Sequence, residues 1–452
     1  MKSIFYLFIL TLILPAQEKI LDTYVKTALE SNLALKQKQF SYEKSLASLS
    51  EARGMFFPSV NLEARYTQAG GGRQIDIPVG DLVNPVYRAL NQITGTNSFP
   101  TDIPNQTTDF LREKEHETKL HIIQPVFNPA IYYNYKAKAD LTEVYKAERD
   151  AFARNLTAEV KTAYFNYLKT VEIKKLLVSA EELVKENLRV SESLFKNGKV
   201  TKDAVYKAEA ELSKINQQQS ESEKNSNLAK AYLNFLMNRD LESEILTENN
   251  SYEEEQIVGE FEQLEKNAVL NREELSAINM AIQASDNGIG AAKSSYYPAI
   301  SLAFDYGFQG EEYKFTDKDD YWMASVVMQW NIFRGLSDKA KSEQSKISKM
   351  EIETQKEEAE NKIKLQVREA YYNLKVAKEA VTTTSKRQRS SELSFKIIEQ
   401  KYSEGMSPQI EYMDARNTLT QSQIEATVAK YDYRIKTAQL EYAAAILKLE
   451  LD

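Results

Sequence analysis

The stretch FFPSVNLEARY, residues 56–66, interrupts a chain that otherwise has the composition of helices. After two aromatic residues and Pro58, the apolar residues Val60, Leu62, Ala64 and Tyr66 alternate with polar ones. Alternation at period two predicts a β-strand with two chemically different faces. The same pattern returns 240 residues further on as YYPAISLAFDY, residues 296–306.

The two strands belong to a larger internal repeat, which has to be recognised before any fold is predicted. AYFNYL (163–168) matches AYYNLK (370–375), and LFKNGKVTKDAVYKAEAEL (194–212) matches KYSEGMSPQIEYMDARNTL (401–419), both at an offset of 207. Upstream the offset is 240, which pairs Leu35 with Leu275 and Pro58 with Pro298. The sequence therefore predicts a duplicated unit of helix, strand, loop, strand and helical hairpin.

The first repeat is predicted over 17–240 and the second over 271–452, with an acidic linker at 241–270. Strands are expected at about 58–67 and 118–127 in the first repeat, and at about 298–308 and 321–333 in the second. The first pair is separated by a Gly-, Pro- and Asn-rich segment, 67–118, which is expected to be a long surface loop with one short helix.

The helical hairpins are predicted over 129–240 and 335–450. Residues 130–196 contain neither proline nor glycine, and about 65 residues at 1.5 Å each make a rod of roughly 100 Å. Gly198 and Gly405 are expected to end the first helix of each hairpin. Helices of this length indicate packing of the coiled-coil type.

Composition excludes several functions. The chain of 452 residues has a formal charge of −8 and no basic cluster, so nothing indicates a nucleic-acid partner. It has no cysteine, which excludes disulfides and thiol nucleophiles, and its two histidines in HETKLH do not form the HExxH metal motif. NGIGAAK (287–293) fits no phosphate-binding pattern. We therefore expect no enzyme activity, no metal and no cofactor.

The amino terminus predicts export. Lys2 precedes an apolar run of about a dozen residues and the small residue Ala16, which is the pattern of a secretory signal peptide over residues 1–16. Later runs fall short of the ~20 apolar residues of a membrane helix. If the exported chain crosses a membrane, it must do so by β-strands.

Four strands of about ten residues have the length of tilted membrane strands, although a soluble antiparallel sheet alternates in the same way. Tyr66, Tyr306, Trp322 and Trp330 are candidates for the aromatic girdles at the membrane interfaces. Four strands cannot close a membrane barrel, because open edges leave backbone groups unpaired in lipid. Two copies would give eight strands and a filled interior, whereas three copies would give twelve and room for a channel.

These motifs, in this order and duplicated, resemble the TolC-type outer-membrane efflux proteins. The resemblance runs from about residue 20 to 450 and includes QPVFN (124–128) and WNIFRG (330–335). It implies a mainly α fold with membrane β-strands: a homotrimer whose 12-stranded β-barrel in the outer membrane is continued by a 12-helix α-barrel in the periplasm. It also implies export of small molecules or proteins through a passive duct, with a periplasmic adapter and an inner-membrane transporter as partners.

Glu411 and Asp414 lie three residues apart and share one helix face, so three copies would place six carboxylates near one axis. By themselves they also fit an ordinary solvated face. The resemblance implies that they constrict the periplasmic entrance and that Tyr402 helps to close it. Ser407 and Ala204 depart from the family pattern of Arg and Asp, so an ion-pair lock through these positions is not expected.

The two hairpin tips are the expected docking sites for the adapter. The residues concerned are Gly198, Lys199, Thr201 and Lys202 in the first tip, and Gly405, Ser407 and Pro408 in the second. Two other classes of function remain open: a periplasmic coiled-coil scaffold or adapter without a pore, and a surface adhesin that uses the 67–118 loop.

Overall fold

The computed structural model describes residues 20–247 and 260–446. The predicted signal peptide at 1–16 and residues 248–259 of the predicted linker lie outside the described residues. The described helices are α1 Ile20–Ser31, α2 Leu33–Gly54, α3 Val79–Thr94, α4 Pro129–Lys196, α5 Lys202–Leu236, α6 Phe261–Asn271, α7 Glu273–Lys293, α8 Ser337–Ser403 and α9 Gln409–Ala443. The strands are β1 Ser59–Gln68, β2 Gln74–Ile77, β3 Gln106–Asp109, β4 Lys114–Phe127, β5 Ala299–Gly310 and β6 Asp320–Gln329.

The chain divides into two compact units. One unit is made of residues 48–138 and 286–346 and holds all the described strands. The other is made of the remaining residues and is built from long helical segments. No helix within the described ranges combines the length and the apolar composition that crossing a bilayer requires.

The strand unit contains one four-stranded antiparallel sheet in the order β1-β4-β5-β6. The register places His121 opposite Asn61 on one side and opposite Asp305 on the other, and Tyr306 opposite Trp322. β4 and β5, from different repeats, form the centre of the sheet. β1 and β6 are therefore its two edges, and their outer backbone groups have no strand partner among the described residues.

Two strand boundaries differ from those predicted. β4 begins at Lys114 rather than at 118, because its hairpin with β1 continues to the pair Gln68–Lys114. β6 ends at Gln329 rather than at 333. Its ladder with β5 ends at the pair Ala299–Gln329, because β5 itself begins at Ala299, directly after Pro298. The segment 67–118, predicted as a long loop with one short helix, contains the helix α3 and also the two-stranded sheet β2-β3, which was not predicted.

The helical unit has two large cores, one centred on each repeat, and Tyr431 and Ile435 of the second repeat also join the first core. In the first, Leu156, Val160 and Tyr164 of α4 pack with residues of α1 and of the end of α5. In the second, Ile363, Val367 and Tyr371 occupy the equivalent places on α8, 207 residues later. The α1 and α5 contributions repeat as well, in the buried pairs Ala28 and Ala268, Leu233 and Leu440, and Met237 and Ala444. The duplicated sequence thus folds into duplicated packing.

Each repeat opens with two helices, where the sequence predicted one. Asn32 separates α1 from α2, and its side chain accepts hydrogen bonds from the backbone N–H groups of Ala34 and Leu35, as a helix cap does. Its amide also donates to the carbonyl of Leu236 at 2.8 Å. Arg272 separates α6 from α7 at the equivalent position and donates to the carbonyl of Ala443 at 3.4 Å. Two different side chains thereby anchor the equivalent break in each repeat to the end of that repeat's own hairpin.

The contact of Gly290 with Tyr133 explains one of the two glycines in NGIGAAK. A Cβ added at Gly290 would lie 2.4 Å from the ring of Tyr133 on α4, whereas one added at Gly288 would meet nothing within 4 Å. Gly290 therefore allows α7 and α4 to approach closely. This packing role needs no ligand.

We predict that Gly290→Ala lowers the thermal midpoint of unfolding, since overpacking costs about 1–3 kcal/mol. Gly288→Ala is the matched control and should leave the midpoint unchanged or raise it, because alanine favours a helix by about 1 kcal/mol. Circular dichroism melts of both variants measure the difference. In a Tyr133→Ala background the penalty at Gly290 should disappear, and a penalty of the same size there would contradict the packing explanation.

Candidate functional site

The two hairpin tips have the same backbone geometry. Gly198 and Gly405 both adopt the left-handed conformation, with φ values of 68° and 75°. In each turn the next residue's N–H returns to a carbonyl five residues earlier, from Lys199 to Leu194 and from Met406 to Lys401. This is the pattern of a glycine-terminated helix, and it sets the reversal that the sequence predicted at both positions.

The second tip presents the two predicted gate carboxylates to solvent. Pro408 precedes α9, and both Glu411 and Asp414 are exposed on its first turns. The buried Ser407 donates a hydrogen bond from Oγ to Oε2 of Glu411 at 2.7 Å. Ser407 therefore orients one of the two carboxylates, and this contact lies entirely within the second tip.

The first tip carries a different set of charges. Thr201 Oγ1 hydrogen-bonds to Asp203, and Lys207 pairs with Asp203 at 3.2 Å. Lys202 lies over the ring of Tyr206, 5.2 Å from its centroid, and Lys199 is exposed. The exposed cations Lys199 and Lys202 therefore give this tip a basic surface, in contrast with the acidic Glu411 and Asp414 of the other.

An aromatic cluster lies behind the second tip. Tyr402 of α8 stacks on Tyr412 of α9 with their ring centroids 4.7 Å apart, and Phe395 packs against Tyr412 at 5.6 Å. Burial raises the pKa of both tyrosines above their ordinary value. The side chains of Asn187 and Ser191 of α4 partly offset this rise in the pKa of Tyr402, so this predicted gate residue lies close to the other hairpin.

Gln409 joins the two hairpins through one side-chain amide, in contacts that we call the amide clasp. Its Nε2 reaches Oγ of Ser191 at 2.8 Å, the carbonyl of Ala204 at 3.1 Å and Oδ1 of Asn187 at 3.3 Å. These partners come from both helices of the first hairpin. The clasp therefore connects the start of α9 to both helices of the first hairpin through neutral groups.

A buried ion pair lies two turns further along α9. Arg416 is almost completely buried and donates from Nη2 to Glu211 of α5 at 2.9 Å and to Asn417 at 2.6 Å. Losing one partner of a buried pair leaves an uncompensated charge, which costs about 3–5 kcal/mol. Near the tips the hairpins are thus connected by the neutral amide clasp and by this charged pair, and further ion pairs join α4 to α9 at Lys161–Glu441 and Lys169–Asp432.

The sheet separates apolar and charged side chains onto two faces. The apolar face carries Val60, Leu62 and Tyr66 of β1, Leu302, Phe304 and Tyr306 of β5, and Trp322, Val326 and Met328 of β6, all exposed. Of the four predicted interface aromatics, Tyr66, Tyr306 and Trp322 lie on this face. Trp330 follows the end of β6, where its Nε1 donates to the carbonyl of Tyr296 at 3.1 Å.

The opposite face carries a charged ladder formed by Glu63, Arg65, Glu117, Lys119, His121 and Asp305. Lys119 Nζ lies 3.5 Å from Asp305 and 3.8 Å from Glu63, and Arg65 pairs with Glu117 at 3.2 Å. His121 hydrogen-bonds to Asp305 as well. Gly307 permits this arrangement, because a Cβ there would lie 2.5 Å from Cβ of Lys119.

Sequence reasoning did not identify the amide clasp, Arg416 or the charged ladder. Alternation in β1 and β4 could have revealed the ladder, since the polar positions of both strands carry charges of both signs. The clasp had no local signal, because its partners lie more than 200 residues from Gln409 in sequence. Among the described residues no group of three or more His, Asp or Glu is placed to hold a metal ion.

Comparison with known proteins gives consistent results. Residues 264–445 match the family model described as outer membrane efflux protein. The fold is similar to those of a membrane protein from Pseudomonas aeruginosa (17% identity, TM-score 0.76, 94% of this chain and 93% of that chain) and the CmeC outer membrane channel of Campylobacter jejuni (18%, 0.76, 94% and 85%). It is also similar to the MtrE outer membrane channel of Neisseria gonorrhoeae (18%, 0.74, 94% and 88%). No curated protein sequence matches the chain.

We predict that Gln409→Ala loosens the contact between the hairpins. Leaving buried polar partners unpaired costs about 1–3 kcal/mol, so amides of the two tips should exchange hydrogen about tenfold faster or more. Gln421→Ala is the matched control, because Gln421 donates only to Glu425 within α9, at 3.0 Å. Hydrogen exchange measured by mass spectrometry resolves the tips, and equal protection in both variants would contradict a connecting role for Gln409.

Proposed function

We propose that this protein forms a trimeric export duct. Part of the chain matches the outer membrane efflux protein family, and its fold is that of outer-membrane channels. Three copies close a ring in the outer membrane and extend into the periplasm. The duct passes small molecules or proteins outward, and an adapter that docks at the hairpin tips opens it. The adapter and an inner-membrane transporter supply the cargo.

The observation that carries the proposal is the incompleteness of the sheet. Its outward apolar residues are highly exposed, with Leu62 and Val326 each 72% accessible, and both edge strands lack partners among the described residues. Lipid would cover the apolar face. Edges in lipid must be paired, since each unsatisfied backbone group costs several kcal/mol. Pairing β6 of one copy with β1 of the next satisfies both edges and generates a ring.

The helical unit leaves equivalent gaps on its two sides. Ion pairs connect α5 to α4 (Lys174–Glu223, 3.2 Å), α4 to α9 (Lys169–Asp432, 3.0 Å) and α9 to α8 (Arg387–Glu425, 2.8 Å). This order leaves α5 and α8 on the outside. Exposed apolar residues run along both: Leu228, Tyr232 and Phe235 on α5, and Leu365, Tyr372, Val376, Leu393 and Ile397 on α8.

The spacing of these exposed residues supports contact between neighbouring copies. Leu228, Tyr232 and Phe235 are separated by four and three residues, the spacing of a coiled-coil seam. Leu365 and Tyr372 are seven apart, and Val376 follows four residues later. The α8 seam of one copy can therefore pack against the α5 seam of the next, which closes the helical units into a ring.

A ring of three copies has an interior wide enough for a channel. Eight strands enclose a space that side chains fill, whereas twelve leave room for a channel. The charged ladder lies on the face opposite the lipid-facing residues, so in a closed ring it lines the interior with polar groups. An interior of this kind admits water and polar cargo.

The tips provide the gate and the docking surface. Glu411 and Asp414, repeated three times, place six carboxylates at the periplasmic mouth, where a ring of acids favours cations. Tyr402 packs behind them. The adapter docks on the exposed turns formed by Gly198, Lys199, Thr201, Lys202 and Gly405, and by the segment of Ser407 and Pro408.

The proposal predicts that the detergent-purified protein has the mass of three chains and conducts ions in planar bilayers. Glu411→Gln combined with Asp414→Asn should reduce the preference of the channel for cations, measured as a shift of the reversal potential in a salt gradient. Glu351→Gln combined with Glu358→Gln is the control, because these exposed carboxylates of α8 lie far along the chain from the tip.

A monomeric protein, or a trimer without conductance in either variant, would contradict the duct. A conducting trimer whose reversal potential responds equally to both pairs of substitutions would retain the duct and remove the carboxylate gate.

A further inference from the structure

The segment between β1 and β4 is a continuation of their hairpin. Beyond the pair Gln68–Lys114, the N–H of Ala69 donates to Glu113 and the N–H of Phe110 donates to Arg73, both at 2.9 Å. β2 and β3 then extend the hairpin, and α3 lies between them in sequence. The segment therefore emerges at the end of the strands opposite to Phe57 and Phe127, where the chain enters and leaves helices.

One side of α3 is firmly attached to the returning chain by three amide pairs. Asn84 exchanges two hydrogen bonds with the backbone of Ile103, both at 2.9 Å, and Asn91 exchanges two with Phe99, at 2.8 and 3.0 Å. Asn105 bonds both the N–H and the carboxylate of Asp81.

Gly80 allows α3 to lie very close to the returning chain. A Cβ at Gly80 would lie 2.1 Å from the carbonyl of Ile103, so no larger residue fits there without moving the backbone. The segment is therefore well ordered, and the side of α3 that faces residues 99–105 is held in place by these contacts.

The other side of α3 is an unpartnered apolar stripe, which consists of Leu82, Val86, Ala89 and Ile93. All four are exposed, and Leu82 and Ile93 are 68% and 81% accessible. Their spacing of four, three and four residues is that of a helix–helix seam, with β-branched residues alternating with Leu and Ala. Such a seam needs a partner with an equally apolar surface.

The charges of α3 favour a protein partner over lipid. Helices that lie on membranes carry many Lys and Arg residues on the polar face. α3 has a single cation, Arg88, and a single acid, Asp81, and its asparagines are used in the amide pairs. An almost uncharged helix can approach copies of itself without repulsion.

β1, the strand that leads into the segment, is an edge strand of the sheet. In the proposed trimer it lies beside the next copy, so the segment stands at the boundary between subunits. We propose that the apolar stripes of the three copies of α3 pack against one another beyond the outer end of the barrel and form a lid over its mouth. This inference rests on the proposed trimer, and the partner of each stripe is a second copy of this chain.

The absence of cysteine from the sequence makes the contact directly testable. Val86→Cys and Ile93→Cys place single thiols in the stripe, and Gln92→Cys places one on an exposed polar position of the same helix. After oxidation of the purified full-length protein, the two stripe variants should give cross-linked dimers on denaturing gels, and the Gln92→Cys variant should give far fewer.

The outcomes separate the lid from the duct. If the protein has trimer mass but the stripe thiols stay uncross-linked and react with a water-soluble maleimide as fast as the Gln92→Cys thiol, the lid is wrong and the duct stands. If the protein is monomeric, both are wrong. Equal cross-linking of all three variants would indicate random collision and would also overturn the lid.

A second measurement tests closure of the mouth. Val86→Glu combined with Ile93→Glu introduces repulsion among the packed helices and should raise single-channel conductance. Gln92→Glu is the matched control and should leave it unchanged. Conductance that does not differ between the two would show that the helices do not cover the mouth.

Discussion

The constraint on which the rest of the structure depends is the pairing of backbone groups at the edges of the sheet. A sheet in lipid cannot leave an edge strand open, because no water is present to satisfy the N–H and C=O groups. This chain supplies four strands and two unpaired edges, β1 and β6. The same incompleteness appears in the helical unit, where α5 and α8 carry apolar seams without partners in the described chain. The proposed ring of subunits would pair the strand edges and cover the helical seams.

Duplication explains how one chain comes to have matching ends. The buried pairs Val160 and Val367, Ala28 and Ala268, and Leu233 and Leu440 show that both repeats build the same core. The backbone repeats as well: Asn238 and Ala445, 207 residues apart, both take a positive φ after the second helix of their hairpin. Because the repeats are alike, their exposed sides are related, and the proposed ring of three chains would contain six similar units.

Much of this fold could be predicted from local pattern. Alternation in FFPSVNLEARY and YYPAISLAFDY identified two strands, and the absence of proline and glycine over 130–196 indicated a continuous helix, observed as α4. The predicted fold class, mainly α with β-strands, and the predicted family resemblance agree with the comparisons. The breaks at Asn32 and Arg272 could not be predicted, since a capping asparagine and an arginine that reaches the carbonyl of Ala443 share no sequence signal.

Less of the functional region could be predicted, because its contacts also join residues that are distant in sequence. Glycine turns are local, so the reversals at Gly198 and Gly405 were visible in the sequence. The roles of side chains there depend on partners from the other repeat. Ser407 orients Glu411 within one tip, and Gln409 reaches Asn187 and Ser191 in the other hairpin. Residue types therefore predicted a site at the tips, which stays a prediction, whereas the contacts between the two hairpins are visible only in the packing.

The chemical type of the contacts between the two hairpins determines how the tips respond to salt. Salt weakens an exposed ion pair and leaves a neutral amide contact unscreened. In this chain the neutral amide clasp of Gln409 and the buried pair of Arg416 with Glu211 connect the hairpins near the tips, whereas the more exposed pairs Lys161–Glu441 and Lys169–Asp432 lie further along α4 and α9. The hairpins should therefore stay connected over a wide range of ionic strength. A docking partner that separates them has to break buried contacts, which requires binding energy from the partner rather than a change in salt.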